Sequence, residues 1–190
     1  MGRSQRDNSR LDVKLALRRY FLDRYHTGPA AAPIQVLDCC QGDGALWRTL
    51  RTEFPVASYW GLDRKAKPGR LRMDSQRLLG QAGWTATVVD IDTYGSPWGH
   101  WAALLPHAPG SVTVFLTVGQ AGMGTDRAVV RALGIPFRLS PGLARHVLAL
   151  GERYLLARAW ACRFTIREAR QAGPYGVMRY LGLRLERTDG

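Results

Sequence analysis

Five of the 15 acidic residues fall at or near the ends of short apolar runs: Asp38, Asp63, Asp74, Asp90 and Asp92. A carboxylate at the end of a strand can accept hydrogen bonds from sugar hydroxyls or from an amine. One such Asp can be a helix N-cap, but five on four consecutive strands point to a shared crevice. The first carries the sharpest motif, Val36-Leu37-Asp38-Cys39-Cys40-Gln41-Gly42-Asp43-Gly44. It sets an acid at a strand end and two glycines before a helix. The glycines permit positive φ and let a ligand approach the main chain, and a helix N-terminus there welcomes a carboxylate or phosphate. A dinucleotide fingerprint requires a third glycine at position 47, where Trp47 stands. A P-loop requires Gly-Lys-Ser/Thr, which is absent.

The fourth run leads into Asp90-Ile91-Asp92-Thr93-Tyr94-Gly95-Ser96-Pro97-Trp98. Gly95 and Pro97 keep the stretch irregular, so Tyr94 is read as exposed there rather than packed at a core edge. Trp98 and Trp101, inside the following helix, are expected in the core. His100 and His107 lack partners at metal-ligand spacing, and Cys39 with Cys40 does not resemble a zinc pattern, so no metal is inferred. The two cysteines are read as small buried residues behind the loop.

These residues need a frame of alternating elements. The pattern predicts a helix over Ser9 to Tyr25, opened by a Ser9–Asp12 capping-box spacing. Leu11, Leu15, Leu22 and Tyr25 recur on it, with Arg18 and Arg19 between them. Strands are expected at Ile34 to Asp38, Ser58 to Asp63, Leu71 to Asp74, Thr85 to Asp92 and Ser111 to Val118. Helices are expected at Ala45 to Phe54, Ser75 to Ala82, Pro97 to Leu105 and Pro141 to Trp160, the last with Leu143, Val147, Leu150, Tyr154 and Leu155 on one side. Strands from Cys162 to Glu168 and Val177 to Leu185 read as an antiparallel hairpin. The alternation argues an α/β fold, a parallel sheet with helices on both faces. The Gly-rich segment Gly119 to Gly124 reads as a loop.

The turn and acids resemble the class I S-adenosylmethionine-dependent methyltransferases, whose first strand ends in Asp or Glu before a glycine-rich turn. Asp38, Gly42 and Gly44 match, and Cys40 replaces a usual glycine. The resemblance runs from about Ile34 to the C-terminus. It implies a Rossmann-like, mostly parallel seven-stranded sheet with a C-terminal antiparallel hairpin. Residues 1–33 would form a basic helix and linker, and 34–190 the catalytic domain. It further implies S-adenosylmethionine as cofactor, with Asp38, Cys40, Gly42 and Gly44 at its methionine part and Asp63 on the ribose. Asp74 would lie near the adenine amine, or else cap the helix at Ser75; both readings stand. Asp90 joins the cofactor set. The segment Asp90 to Ser96 resembles the substrate motif of the tRNA guanine-N2 dimethyltransferases, with Thr93 where proline is usual. The resemblance implies that Asp92 and a backbone carbonyl accept the N–H bonds of an exocyclic base amine, whose delocalised lone pair makes it a poor nucleophile, and that Tyr94 stacks on the base. Those enzymes are larger.

Charge supplies the partner. The 190 residues hold 27 Lys+Arg against 15 Asp+Glu, a formal net charge of +12. Only Lys14, Lys65 and Lys67 are lysines. Codon preference can account for Arg over Lys but not for the excess over acids, so a polyanion is indicated. Arg64, Lys65, Lys67, Arg70, Arg72 and Arg77, with Arg6, Arg10, Arg18 and Arg19, are expected to rim the cleft, and Thr93, Gly95, Ser96 and Pro97 to line it with Arg64, Lys65 and Lys67. The expected activity is methyl transfer to a base amine of a nucleic acid, RNA before DNA. The alternatives are a small-molecule or protein methyltransferase, or a non-catalytic nucleic-acid-binding module on the same fold. At 46% hydrophobic the chain can build a core, its apolar runs fall short of the ~20 residues of a membrane span, and three cysteines make no disulfide framework. A cytoplasmic protein is expected.

Overall fold

The computed structural model describes residues 10–65, 69, 71–93, 95–119, 125–134, 141–173 and 178–188, without the side chains of 125–128 and 141–149. The sequence readings on Arg6, Ser9, Lys67, Arg70, Tyr94 and residues 120–124 lie outside these.

Alternating apolar segments build one seven-stranded sheet in the order β3-β2-β1-β4-β5-β7-β6. Its strands are β1 (Ile34–Asp38), β2 (Val56–Asp63), β3 (Leu71–Arg72), β4 (Val88–Ile91), β5 (Val112–Val118), β6 (Phe164–Ala172) and β7 (Arg179–Arg187). The first five pair in parallel, β7 runs antiparallel between β5 and β6, and the last two form the expected hairpin. β4 and β5 are buried along their whole length because helices cover both faces.

Helices α1 (Leu11–Tyr25) and α2 (Ala45–Glu53) lie on one face. There Leu15, Phe21, Leu22, Trp47 and Leu50 pack against Ile34, Val36, Val88, Phe115 and Tyr180. The expected division at residue 33 therefore falls between two elements, α1 and β1, that share one core cluster. Helices α3 (Ser75–Leu79), α4 (Trp98–Leu104), α5 (Thr125–Ala132) and α6 (Pro141–Ala161) follow in the chain. The other face buries Leu79, Trp98, Trp101, Leu104, Val129 and Leu155 against Leu37, Val89, Ile91 and the even-numbered valines of β5. The indole N–H of the wholly buried Trp101 donates to the Leu155 carbonyl at 2.6 Å. Among the described residues no helix is long and apolar enough to cross a membrane.

Four local expectations change. Helix α1 starts at Leu11 behind Arg10, which takes φ 59° and makes no side-chain cap, so among the described residues the helix begins after its expected start. The buried stripe of α1 contains Lys14 and Arg18 as well as Leu15, Leu17, Phe21 and Leu22. On α6, Leu155 and Ala159 face the core while Leu150 and Tyr154 are exposed. Leu155 and Ala159 are one turn apart and share a face with Gly151, whose Cβ position would meet Val129 at 2.8 Å. Helix α5 arises where no element was expected, since its eight residues are shorter than the window of about 11–18 residues over which a helical period is read.

Candidate active site

In an open parallel sheet, ligands bind beyond the carboxyl ends of the strands where the order reverses, which here is between β1 and β4. Asp38 ends β1 and pairs in register with Asp90 of β4. Strand alternation puts Asp38, Asp90 and Asp92 on the face covered by α1 and α2. Two basic residues of α1, one helical turn apart, meet them. Arg18 binds Asp90 through both prongs, Nε to Oδ2 at 2.8 Å and Nη2 to Oδ1 at 2.6 Å. Both side chains are 1% exposed. The Trp47 indole N–H donates to the same Asp90 Oδ2 at 2.8 Å. Lys14 Nζ reaches Asp92 Oδ2 at 2.5 Å.

Among the described residues no cation bonds Asp38. The Tyr59 hydroxyl of β2 donates to its Oδ2 at 2.8 Å. Burial first, and then the charge of Asp90, push the Asp38 carboxyl well above the usual carboxylate range. The same pocket raises the Tyr59 hydroxyl and the Cys39 and Cys40 thiols, each chiefly by desolvation. Among the described residues, three carboxyl groups thus share two buried cations, and full ionisation of all three would leave the cluster one positive charge short.

The glycine turn lies directly above. Gly44 takes φ 71° at the head of α2, and Gly42 takes φ 58°. Between them and β2, Gln41 donates its N–H to the Leu62 carbonyl. Its side chain lies over Gly61, where a Cβ would meet Oε1 at 2.3 Å. That buried Oε1 finds no partner among the described residues. Asp63, at the end of β2, accepts the Lys65 N–H at 2.9 Å. Asp74 caps α3, its Oδ1 accepting from the amides of Gln76 and Arg77.

The β4–α4 loop forms the other wall. Thr93 is buried, and its Oγ1 likewise has no partner among the described residues. Gly95 takes φ 113°, and its carbonyl accepts the Gly119 N–H at 2.5 Å. A Cβ at Gly119 would meet that oxygen at 2.5 Å, so both positions require glycine. Ser96 Oγ accepts the Trp98 N–H at 3.5 Å, and Pro97 is buried at the head of α4.

The expected basic rim is reduced. Arg18 is inside the protein, and Arg19 is bound bidentately by Glu53 at 2.6 and 2.7 Å. An arginine spaced between apolar residues can be drawn inward where a buried carboxylate awaits it, and Asp90 does this to Arg18. Arg64, Lys65, Arg72 and Arg77 remain exposed around β3, and Trp60 of β2 is 54% exposed. Sequence reasoning missed Lys14, Tyr59, Gly119 and the role of Trp47. The spacing of Lys14 and Arg18 at i and i+4 was the one available signal.

No protein-family model and no curated protein match the chain. Solved structures do. Trm1 from Pyrococcus horikoshii, in complex with S-adenosyl-L-methionine, superposes with a TM-score of 0.66 at 18% identity, over 100% of this chain and 59% of that one. The plantazolicin methyltransferase BpumL gives 0.53 at 13% identity, over 96% and 87%. The 1,6-didemethyltoxoflavin-N1-methyltransferase of Burkholderia thailandensis gives 0.50 at 16%, over 92% and 77%. The fold is the Rossmann-like methyltransferase fold, and the chain spans well under two thirds of the length of Trm1.

Proposed function

We propose that the chain is an S-adenosylmethionine-dependent methyltransferase acting on an exocyclic amine of a nucleic-acid base, with RNA preferred to DNA. The observation that carries this reading is the charge imbalance at the switch point, where among the described residues Asp38, Asp90 and Asp92 are met by two cations, Arg18 and Lys14. S-adenosylmethionine carries a net positive charge, and its sulfonium presents an electrophilic methyl group. Asp38 and the Gly42–Gly44 turn would hold its methionine part, and the unpartnered Gln41 Oε1 offers an acceptor beside them. Cys40, Asp63 and Asp74 complete the cofactor side. Asp90 serves it indirectly, by fixing Arg18 and Trp47 under the turn.

Asp92 accepts an N–H of the acceptor amine and draws its lone pair out of the ring. The Thr93 hydroxyl supplies a further polar contact, and Tyr94 is assigned to stack on the base. The work is positioning for in-line attack, with no covalent enzyme intermediate. The nucleic-acid assignment is supported by the +12 charge and by the exposed Arg64, Lys65, Arg72 and Arg77 around β3. It is also supported by the Asp90–Ser96 motif and the shared fold with Trm1. The test is transfer of tritium-labelled methyl groups to RNA, DNA and small amines across a salt series. RNA should be labelled, with transfer falling steeply as salt rises. No label in any nucleic acid, although the cofactor binds, would refute the base-amine assignment.

A second reading, a methyltransferase for a small molecule or protein, is supported by the fold shared with the toxoflavin and plantazolicin enzymes. It predicts methylation insensitive to salt and to competing polynucleotide.

A further inference from the structure

We infer that Lys14 of α1 is the positioning residue of the acceptor side: it ties Asp92 Oδ2 and thereby turns Asp92 Oδ1 toward the substrate amine. The inference rests on the methyltransferase reading and extends it to a residue outside the shared sequence motifs.

Burying an ammonium group is costly unless a partner meets it, by several kcal/mol per ion on general grounds. Lys14 is buried, with its side chain 3% exposed, and the Asp92 carboxylate meets it at 2.5 Å. The Tyr180 ring lies beneath, its centroid 5.4 Å from Nζ. A plain anchoring role for α1 is already filled by other contacts. Leu15, Phe21 and Leu22 bury the helix, the Arg18–Asp90 pair locks its middle, and Tyr20 and Tyr25 both donate to Glu168 at its far end.

The asymmetry of exposure separates the two roles. Asp92 is 19% exposed while Lys14 is 3% exposed, so the pair is sealed on the helix side and open on the acid side. Asp92 follows β4 and lies near enough to the Asp38 turn to act on Asp38 and Cys40, so its open side borders the crevice beyond β4. A carboxylate can accept on two oxygens. Lys14 engages one and restricts rotation of the side chain, so the second has a defined direction. Without Lys14, Asp92 would swing among several rotamers. A misplacement of about 1 Å at a positioning group can cost on the order of 100-fold in rate.

The test compares wild type with Lys14→Met, Lys14→Arg and Asp92→Asn. Three measurements are made: turnover at saturating cofactor, cofactor affinity by calorimetry, and thermal melting. Lys14→Met is expected to lower kcat about 10- to 100-fold and to leave cofactor binding as tight as in wild type or tighter, because it removes a cation from the acid cluster. Lys14→Arg keeps a cationic donor and should recover most of kcat. In the Asp92→Asn background, Lys14→Met should change kcat less than about twofold, because its effect passes through Asp92. If Lys14→Met does not fold, the Lys14→Arg and Asp92→Asn single and double variants carry the comparison. A folded Lys14→Met with undiminished kcat overturns the inference. So does parallel loss of cofactor binding and turnover in Lys14→Met and Lys14→Arg, which marks a structural strut. If wild type labels a small amine and no nucleic acid, the nucleic-acid assignment fails, and the same variants are read on that amine.

Discussion

Replacing Arg18 with methionine should be among the most destabilising single changes in this protein. The guanidinium and the Asp90 carboxylate are each 1% exposed and joined by two bonds of 2.6 and 2.8 Å. Methionine fills much of the volume but leaves Asp90 as a buried carboxylate held only by the Trp47 indole N–H, beside Asp38 and with no adjacent cation on that oxygen pair. Breaking such a pair from one side costs about 3–5 kcal/mol. That is a large fraction of a typical domain stability of about 5–15 kcal/mol. At about 2–4 °C per kcal/mol for a chain of this size, the melting temperature should fall by roughly 6–20 °C. The reasoning makes a second, stricter demand. Asp90→Asn removes the charge yet keeps an acceptor for Trp47, so the double variant R18M/D90N should be more stable than R18M alone by about 2 kcal/mol. Urea denaturation followed by tryptophan fluorescence at pH 7, with circular-dichroism melts, reads both numbers. An R18M variant within about 1 kcal/mol of wild type, or a double variant whose losses simply add, would refute the account of the buried cluster.

Three further outcomes follow from the same geometry. The Asp38 carboxyl is pushed up by burial and by Asp90, so a cationic ligand should expel its proton. Cofactor affinity should then rise with pH above the usual carboxylate range, and calorimetric heats should differ between buffers of unlike ionisation enthalpy; equal heats would exclude the linkage. His26 is buried on Thr113 and pushed down to about 4 by desolvation, with Arg184 adding to it. Between that value and the ordinary 6.5 the unfolded chain binds the extra proton, so its contribution is complete above pH 6.5 and is lost as pH falls toward 4. Urea midpoints should show wild type losing roughly 1–2 kcal/mol more than His26→Gln between pH 7 and 5, and matched losses would contradict this. Gly119→Ala places a methyl group 2.5 Å from the Gly95 carbonyl, so it should displace the β4–α4 loop. The expected cost is about 1–3 kcal/mol in stability with at least a tenfold fall in turnover, and normal turnover in a folded variant would remove that loop from the site.

The frame of the site was readable in advance because strand and helix periods are local. The apolar runs ending at Asp38, Asp63 and Asp92 placed those residues within one or two positions of their observed elements. Gly42 and Gly44 announced a turn, and positive φ at both is the physical content of that signal. Trp98 and Trp101 went to the core as expected. The failures have a common cause. Lys14 and Arg18 sit on the buried stripe of α1, and a basic residue in a helix reads as solvent-facing unless its partner is known. Their partners lie 78 and 72 residues away. Leu150 and Tyr154 read as core because they are apolar, but the contact of Gly151 with Val129 turns the opposite side of α6 inward.

By itself the sequence determined the alternation of elements, the parallel sheet with its antiparallel end, and the row of acids at the strand ends. Each of these depends on residues close together along the chain, where side-chain period and glycine conformation act directly. The tertiary structure decided which acids are satisfied. Asp90 is neutralised by Arg18 and Asp92 by Lys14, while Asp38 keeps only a tyrosine hydroxyl. That division depends on burial and on pairing between α1 and β4, and electrostatic energy inside a protein is set by distances across the fold.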